Sequence, residues 1–116
     1  MKRQILFFFI NIIIAFNINF VSHNEKLEYI FNLMDVNKDD ILDYREMYLL
    51  QLLTEPDIPL TYEIYKKISI YMNVNYRFGY TKKDLNMSYT LYKHDIGSDI
   101  TKDYEKLFNY EIRYYM

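Results

Sequence analysis

The stretch from residue 35 to residue 46 places oxygen-bearing groups at a spacing that suits a hard divalent cation. The candidate ligands are the side chains of Asp35, Asn37, Asp39, Asp43 and Glu46 and the backbone carbonyl of Ile41. Because the first three alternate at a spacing of two, one tight loop can turn them toward a common centre, and Glu46 can bind through both of its oxygens. An oxygen-only set favours calcium over zinc or copper, and a closing glutamate favours calcium over magnesium. The segment therefore predicts a calcium-binding loop.

The spacing resembles the calcium loop of the EF-hand family, whose pattern D-x-[DN]-x-[DN]-G-x5-E is matched at Asp35, Asn37, Asp39 and Glu46. One family position differs, because Asp40 stands where the family has glycine. Aspartate is enriched among the non-glycine residues that adopt positive φ, so the turn can still close, and we expect a reduced affinity for the ion. The alternative is an acidic, solvated turn that binds nothing.

Apolar residues recur at helical spacing on both sides of this loop. Those before it are Leu27, Ile30, Phe31 and Met34, and those after it are Met47, Leu50 and Leu53. The two stripes predict amphipathic helices over residues 25–34 and 44–53, and hence an all-α fold. The EF-hand resemblance implies a paired helix-loop-helix domain, in which Leu42 lies where the family joins its two loops through a short β-pairing.

A second, poorer copy of the loop is predicted at residues 73–84, because the family pairs its loops. It begins 38 residues after the first loop, and its Tyr80 is expected opposite Leu42. Arg77 brings a positive charge to the fifth position, the glycine is displaced by one residue, and the closing residue is the short Asp84. We therefore predict a structural partner that binds no calcium, and the alternative is an irregular connector. Helical patterns on both sides count against the connector: Ile64, Ile68 and Tyr71 or Met72 before it, and Leu85, Tyr89 and Tyr92 after it.

The first 22 residues have the profile of a secretory signal peptide. Lys2 and Arg3 precede a run over residues 5–16 in which Asn11 is the one polar interruption. A basic start followed by an apolar stretch of about 7–15 residues is typical of such signals, whereas a membrane helix needs about 20 apolar residues. We predict cleavage and a location outside the cell or in the lumen of the secretory pathway. An uncleaved membrane anchor and a buried helix of the mature fold are the alternatives.

A C-terminal amphipathic helix is predicted over residues 99–116. Its apolar positions are Ile100, Tyr104, Leu107, Phe108, Ile112 and Tyr115, and charged residues, among them Asp103, mostly fill the other faces. Calcium sensors of the EF-hand family bind target helices in an apolar groove, so this helix is a candidate occupant of the groove of the pair at 23–98. An ordinary core helix without a regulatory role is the alternative.

Composition narrows the possible functions. Beyond Ser22 the chain has 94 residues, enough for one compact domain, with 16 acidic and 12 basic residues and a formal charge of −4. A mildly acidic domain favours no nucleic-acid role, and we interpret Lys66-Lys67 and Lys82-Lys83 as solvated helix faces. The chain has no cysteine and no catalytic motif, and we expect it not to be an enzyme.

Two functional hypotheses follow from these features. The first is a secreted or lumenal calcium-binding EF-hand protein with one functional site, acting as a calcium-stabilised or calcium-modulated module for a protein partner. The second is a calcium-independent helical interaction protein, with a membrane contact only if the N-terminal segment is retained.

Overall fold

The computed structural model describes residues 21–91 and 99–114, and this part of the chain is all-helical, as predicted. Its helices are α1 (His23–Met34), α2 (Tyr44–Thr54), α3 (Tyr62–Tyr71), α4 (Lys82–Leu91) and α5 (Ile100–Tyr114). None of these helices is both long and apolar enough to cross a lipid bilayer. The expected signal peptide falls outside the described residues except for its last two positions. Tyr92, Tyr115 and the side chain of Ile112 also lie outside the described part.

Side-chain hydroxyl groups cap the N-termini of the first and third helices. The Ser22 hydroxyl accepts a hydrogen bond from the Glu25 N–H at 3.2 Å, and the Thr61 hydroxyl accepts one from the Ile64 N–H at 3.2 Å. Each bond satisfies a backbone donor that has no partner inside the helix, which makes these residue types favourable at this position. Helix α1 therefore begins directly after Ser22.

Helix α1 lies at the centre of the fold and packs against α2, α4 and α5. Its predicted apolar stripe is confirmed, since the following residues are all buried: Leu27, Ile30, Phe31 and Met34. Full burial of one such side chain contributes about 1.5–3 kcal/mol, so this stripe is a major source of the stability of the domain.

The buried face of α3 matches the predicted one only in part, since Met72 is buried and Ile68 packs against the core as expected. Ile64 and Tyr71 are 45% and 77% exposed, whereas Tyr65 and Ser69 are buried. Ser69 can lie in the core because its hydroxyl donates to the Tyr65 carbonyl at 2.6 Å and lies 2.9 Å from the Tyr80 hydroxyl. A polar residue whose hydrogen bonds are satisfied inside the fold thus takes a place that periodicity assigns to an apolar one.

One pair of residues links the segments that precede α2 and α4. Leu42 and Tyr80 form an isolated antiparallel bridge, with backbone N···O distances of 2.7 and 2.8 Å. Leu42 is fully buried and Tyr80 is 2% exposed, so the bridge lies inside the core. It holds the loop at 35–46 beside the loop at 73–84.

Helix α5 packs against α1 and α2. Tyr104 and Leu107 are buried, and the Tyr29 ring of α1 lies 5.1 Å from the Tyr104 ring and 5.6 Å from the Phe108 ring. The predicted amphipathic helix is present, but the prediction places one of its charged residues on the wrong face. Asp103, expected on an outer face, is only 4% exposed.

Candidate metal centre

The loop at 35–46 begins where α1 ends and closes on the first turn of α2. The Asp35 N–H donates to the Phe31 carbonyl at 2.9 Å, so the last turn of α1 positions the first loop carboxylate. Asp43 is the N-cap of α2, and its carboxylate accepts from the Glu46 N–H at 3.0 Å. In return Glu46 accepts from the Asp43 N–H at 3.1 Å, which completes a capping box. The two helix ends therefore determine where the first and last carboxylates of the loop lie.

Three carboxylates meet inside this loop. Asp35, Asp39 and Glu46 each place an oxygen within 4.8 Å of the others. Asp35 is 3% and Glu46 7% exposed, and acidic side chains are seldom buried to this extent without a compensating charge. At this separation two unit negative charges repel by about 1 kcal/mol in bulk water, and by about 3–4 kcal/mol at an effective dielectric constant of about 20. The cluster is therefore a site of concentrated negative charge.

Backbone N–H groups hold both buried carboxylates in place. Asp35 accepts from the N–H groups of Asp39 at 3.3 Å and Asp40 at 3.0 Å, one on each oxygen. Glu46 likewise uses both oxygens, and its Oε2 accepts from the Val36 N–H at 2.7 Å. A carboxylate has about four lone-pair sites, so each group keeps acceptor capacity after these bonds.

The backbone of the loop turns through two residues with positive φ. Lys38 has φ of 57° and Asp40 has φ of 65°. The left-handed conformation expected at Asp40 is confirmed, and the Asp40 N–H donates to Asp35 in this conformation. The Lys38 ammonium donates to the Asn32 carbonyl at 2.9 Å, so this cation is engaged by the end of α1.

The other predicted ligands have different positions in the loop. Asn37 has an exposed side chain, and Ile41 is half-buried with its N–H donating to Asp39 at 3.1 Å. Asp43 is outside the group of three close carboxylates, because its side chain caps α2. The structure thus brings together Asp35, Asp39 and Glu46 directly and joins Asp43 to them through the capping box.

The second loop, at 73–84, uses its polar side chains for local structure. Asn75 accepts from the Arg77 N–H at 3.1 Å, and Asp84 accepts from the Thr81 N–H at 3.1 Å. The Arg77 guanidinium lies 5.8 Å from the centre of the Tyr76 ring. Asp84 is the one carboxylate of this loop, so its chemistry differs from that of the first loop.

Gly79 has a structural role that its position in the sequence does not reveal. Its φ is +117°, and a Cβ at this position would lie 2.3 Å from the Leu42 carbonyl oxygen. The two loops therefore approach each other so closely that no side chain fits between them. The displaced glycine is visible in the sequence, but the sequence does not show that it faces Leu42.

A small cavity lined by residues of α2, α3, α4 and α5 has buried polar groups in its wall. It has a volume of about 90 Å³, and its lining includes Leu50, Tyr65, Leu85, Tyr89 and Asp103. The Tyr89 hydroxyl donates to the Asp103 carboxylate at 2.7 Å. Burial raises the pKa of Asp103 to about 6, although the Tyr89 hydrogen bond acts in the opposite direction. Burial also raises the pKa of Tyr89, so the hydroxyl remains a donor at neutral pH.

The loop at 35–46 is thus the part of the described chain with clustered, buried oxygen ligands. Comparisons of the chain with models of known protein families, with curated proteins and with solved structures gave no match.

Proposed function

We propose that this chain is a secreted or lumenal calcium-binding protein of the EF-hand type with one functional loop. It would act as a calcium-stabilised or calcium-modulated module for a protein partner. The residues proposed to hold the ion are Asp35, Asn37, Asp39, Ile41, Asp43 and Glu46.

The observation that carries the proposal is the burial of Asp35 and Glu46 beside Asp39 without a cationic partner. Among residues 21–91 and 99–111, whose side chains the structure describes, the one salt bridge joins Lys82 to Glu28, away from this cluster. A divalent cation would compensate the mutual repulsion of the three carboxylates, and the backbone donors already orient the two buried ones. The donor set consists of oxygen alone, as calcium prefers.

Calcium would connect the two helices that border the loop. Asp35 belongs to the end of α1 and Glu46 to the first turn of α2, so one ion bound by both would resist their separation. Binding to the folded state alone stabilises it in proportion to the logarithm of the ion concentration above the dissociation constant. The Leu42–Tyr80 bridge would transmit this ordering to the second loop, which we propose as a structural partner that does not bind the ion.

The position of α5 favours a stabilising role for calcium over an open switch. This helix packs against α1 and α2, and the Lys106 ammonium donates to the Thr54 carbonyl at 2.6 Å at the C-terminal end of α2. A groove covered by a helix of the same chain is closed to an external helix until α5 is displaced.

The proposal is tested by calorimetric calcium titration of the full chain and its Glu46→Gln variant. Glutamine can preserve the capping box, so the fold is retained while the bidentate carboxylate is lost. We expect calcium affinity to fall at least tenfold, equivalent to about 1.4 kcal/mol. Glu63→Gln is the matched control, because Glu63 is exposed and also lies in the first turn of a helix. Equal binding heats from wild type and Glu46→Gln would refute the site.

A second candidate function is a calcium-independent interaction module. It is favoured by three apolar residues on α2, Tyr48, Leu49 and Leu52, whose side chains are 36–44% exposed. Recovery of the same protein partner in calcium and in chelator would support this candidate over the first.

A further inference from the structure

Charge is unevenly distributed between the two halves of the described domain. Residues 35–46 carry five acidic and two basic residues, a formal charge of −3. Residues 62–83, which include α3 and most of the second loop, carry five basic residues and one acidic residue, a formal charge of +4. A chain that is acidic as a whole therefore has one strongly basic region.

The basic region also exposes large apolar side chains. Ile70 is 60%, Tyr71 77% and Phe78 70% exposed, and Val36 is the one other large apolar side chain in the described part of the chain that is at least 60% exposed. Ile70 and Tyr71 end α3, and Phe78 lies in the loop that follows. The backbone turns sharply between them, since the Asn73 N–H donates to the Ile70 carbonyl at 3.1 Å.

Contacts and helical spacing place these apolar residues beside the positive charges. Lys66 and Lys67 precede Ile70 and Tyr71 by four residues, so each pair lies on one side of α3. The Lys66 ammonium and the Arg77 guanidinium both lie over the Tyr76 ring, at 5.2 and 5.8 Å from its centre. Lys66 on α3 and Arg77 in the loop that follows are therefore close neighbours, and this helix and this loop form one continuous surface.

The cations of this surface are not neutralised by acidic side chains. In the described ranges Lys66, Lys67 and Arg77 make no salt bridge. The hydrogen bond from Arg77, together with the positive charge of Lys66, lowers the pKa of the Tyr76 hydroxyl. A positive electrostatic potential therefore surrounds the exposed apolar residues.

We propose that this surface docks on a membrane that contains anionic phospholipids. We name it the basic apolar surface and define it by Lys66, Lys67, Ile70, Tyr71, Arg77 and Phe78. Lysine and arginine attract anionic headgroups, and apolar side chains at the same edge reach the boundary between headgroups and acyl chains.

The combination of residues favours lipid over the other anionic partners. A nucleic acid would contact the cations and the aromatic rings, but the exposed Ile70 side chain would make no favourable contact with phosphates or bases. An acidic polypeptide would neutralise the cations, but its own charged side chains would leave Phe78 and Ile70 without an apolar environment. A phospholipid surface satisfies both the charges and the apolar side chains.

This contact is independent of the proposed calcium site and of the first 22 residues. The basic apolar surface contains none of the proposed ligands, so loss of calcium binding would leave the membrane proposal intact. Lys66 and Lys67 are exposed on α3, as expected for a solvated helix face, and the proposal gives that face a binding partner.

The chain contains no tryptophan, which allows a local test in the full-length protein. Phe78→Trp places a single tryptophan, which can be excited selectively over the 14 tyrosines, on the basic apolar surface, and Ile58→Trp places one at a site that is 50% exposed and precedes α3. Each variant is titrated with vesicles of phosphatidylcholine alone and of phosphatidylcholine with phosphatidylserine. We expect the emission of the Phe78→Trp variant to shift to shorter wavelength with the anionic vesicles only, and the emission of the Ile58→Trp variant to stay unchanged. A membrane contact made by the N-terminal segment alone would not produce this difference.

Charge variants in the Phe78→Trp background complete the test. Lys67→Gln with Arg77→Gln removes two cations of the surface, and we expect the vesicle concentration needed for half of the emission shift to rise roughly 30-fold. Arg45→Gln with Lys102→Gln removes two exposed cations elsewhere and should leave this vesicle concentration unchanged. The proposal is overturned if the emission of the Phe78→Trp variant is unaffected by anionic vesicles or responds equally to neutral ones. A response to polyglutamate without one to vesicles would also overturn it and assign the surface to an acidic protein.

Discussion

The ionisation of Asp103 tests how α5 packs against the rest of the domain, because the carboxylate of this residue is buried in a mostly apolar site. Tyr89 on α4 donates to it at 2.7 Å, and Lys106 on α5 also favours its ionised form. Glu55, which follows α2, and Asp99, which precedes α5, oppose ionisation. Burial is the largest influence and raises the pKa of Asp103 from 3.8 to about 6.

The sign of the resulting pH dependence follows from proton binding. Between pH 3.8 and about 6 the folded state holds the Asp103 proton more tightly than the unfolded state, so this group makes folding less favourable as pH rises. A difference of about 2 pKa units corresponds to about 3 kcal/mol, reached in full above pH 7 and absent below pH 3. Asparagine cannot ionise and can still accept from Tyr89, so Asp103→Asn removes this penalty.

Urea unfolding of wild type and Asp103→Asn across a pH series measures the effect. From pH 4.5 to pH 7.5 we expect the free energy of unfolding of wild type to fall by about 2 kcal/mol relative to the variant. Only the difference between the two proteins is interpreted, because other carboxylates contribute equally to both. Asp57→Asn, at an exposed residue between α2 and α3, should show no such trend. If the free energies of unfolding of wild type and Asp103→Asn differ by the same amount at every pH, the pKa of Asp103 is not raised in the folded state.

Two further predictions concern the loop contact and the C-terminal helix. Gly79→Ala should lower the free energy of unfolding by about 2–3 kcal/mol or more, because its Cβ would meet the Leu42 carbonyl oxygen, whereas Phe78→Ala should change it by less than about 0.5 kcal/mol. Equal effects in urea unfolding would contradict the close approach of the loops. A chain ending at residue 98 should bind more apolar dye than the full chain, because α5 covers apolar surface of α1 and α2. Unchanged dye fluorescence would argue against this covering role.

Much of the local structure was predictable because its causes lie close together in the sequence. The stripe of α1, the cap at Ser22 and the positive φ at Asp40 each depend on residues within a few positions of one another. The approach of Asp35 to Glu46 spans only eleven residues, and the order of the ligands already places both in one bend.

The buried polar residues were not predictable in the same way. Periodicity placed Asp103 on an outer face and gave no reason to bury Ser69, because it records only which residues are apolar. Ser69 is buried since Tyr80 supplies a hydrogen-bonding partner, and Asp103 is buried since Tyr89 does. These partners lie eleven and fourteen residues away and belong to other elements.

The sequence by itself determined the all-helical class, the start of α2 at Tyr44 and the order of the candidate calcium ligands, since each depends on short-range sterics and hydrogen bonds. Only the tertiary structure decided which carboxylates are buried, that α5 covers α1 and α2, and that Lys66 and Arg77 share one surface with exposed Phe78. These features depend on contacts between elements that are distant along the chain, and the free energy of such contacts is not encoded in any single segment.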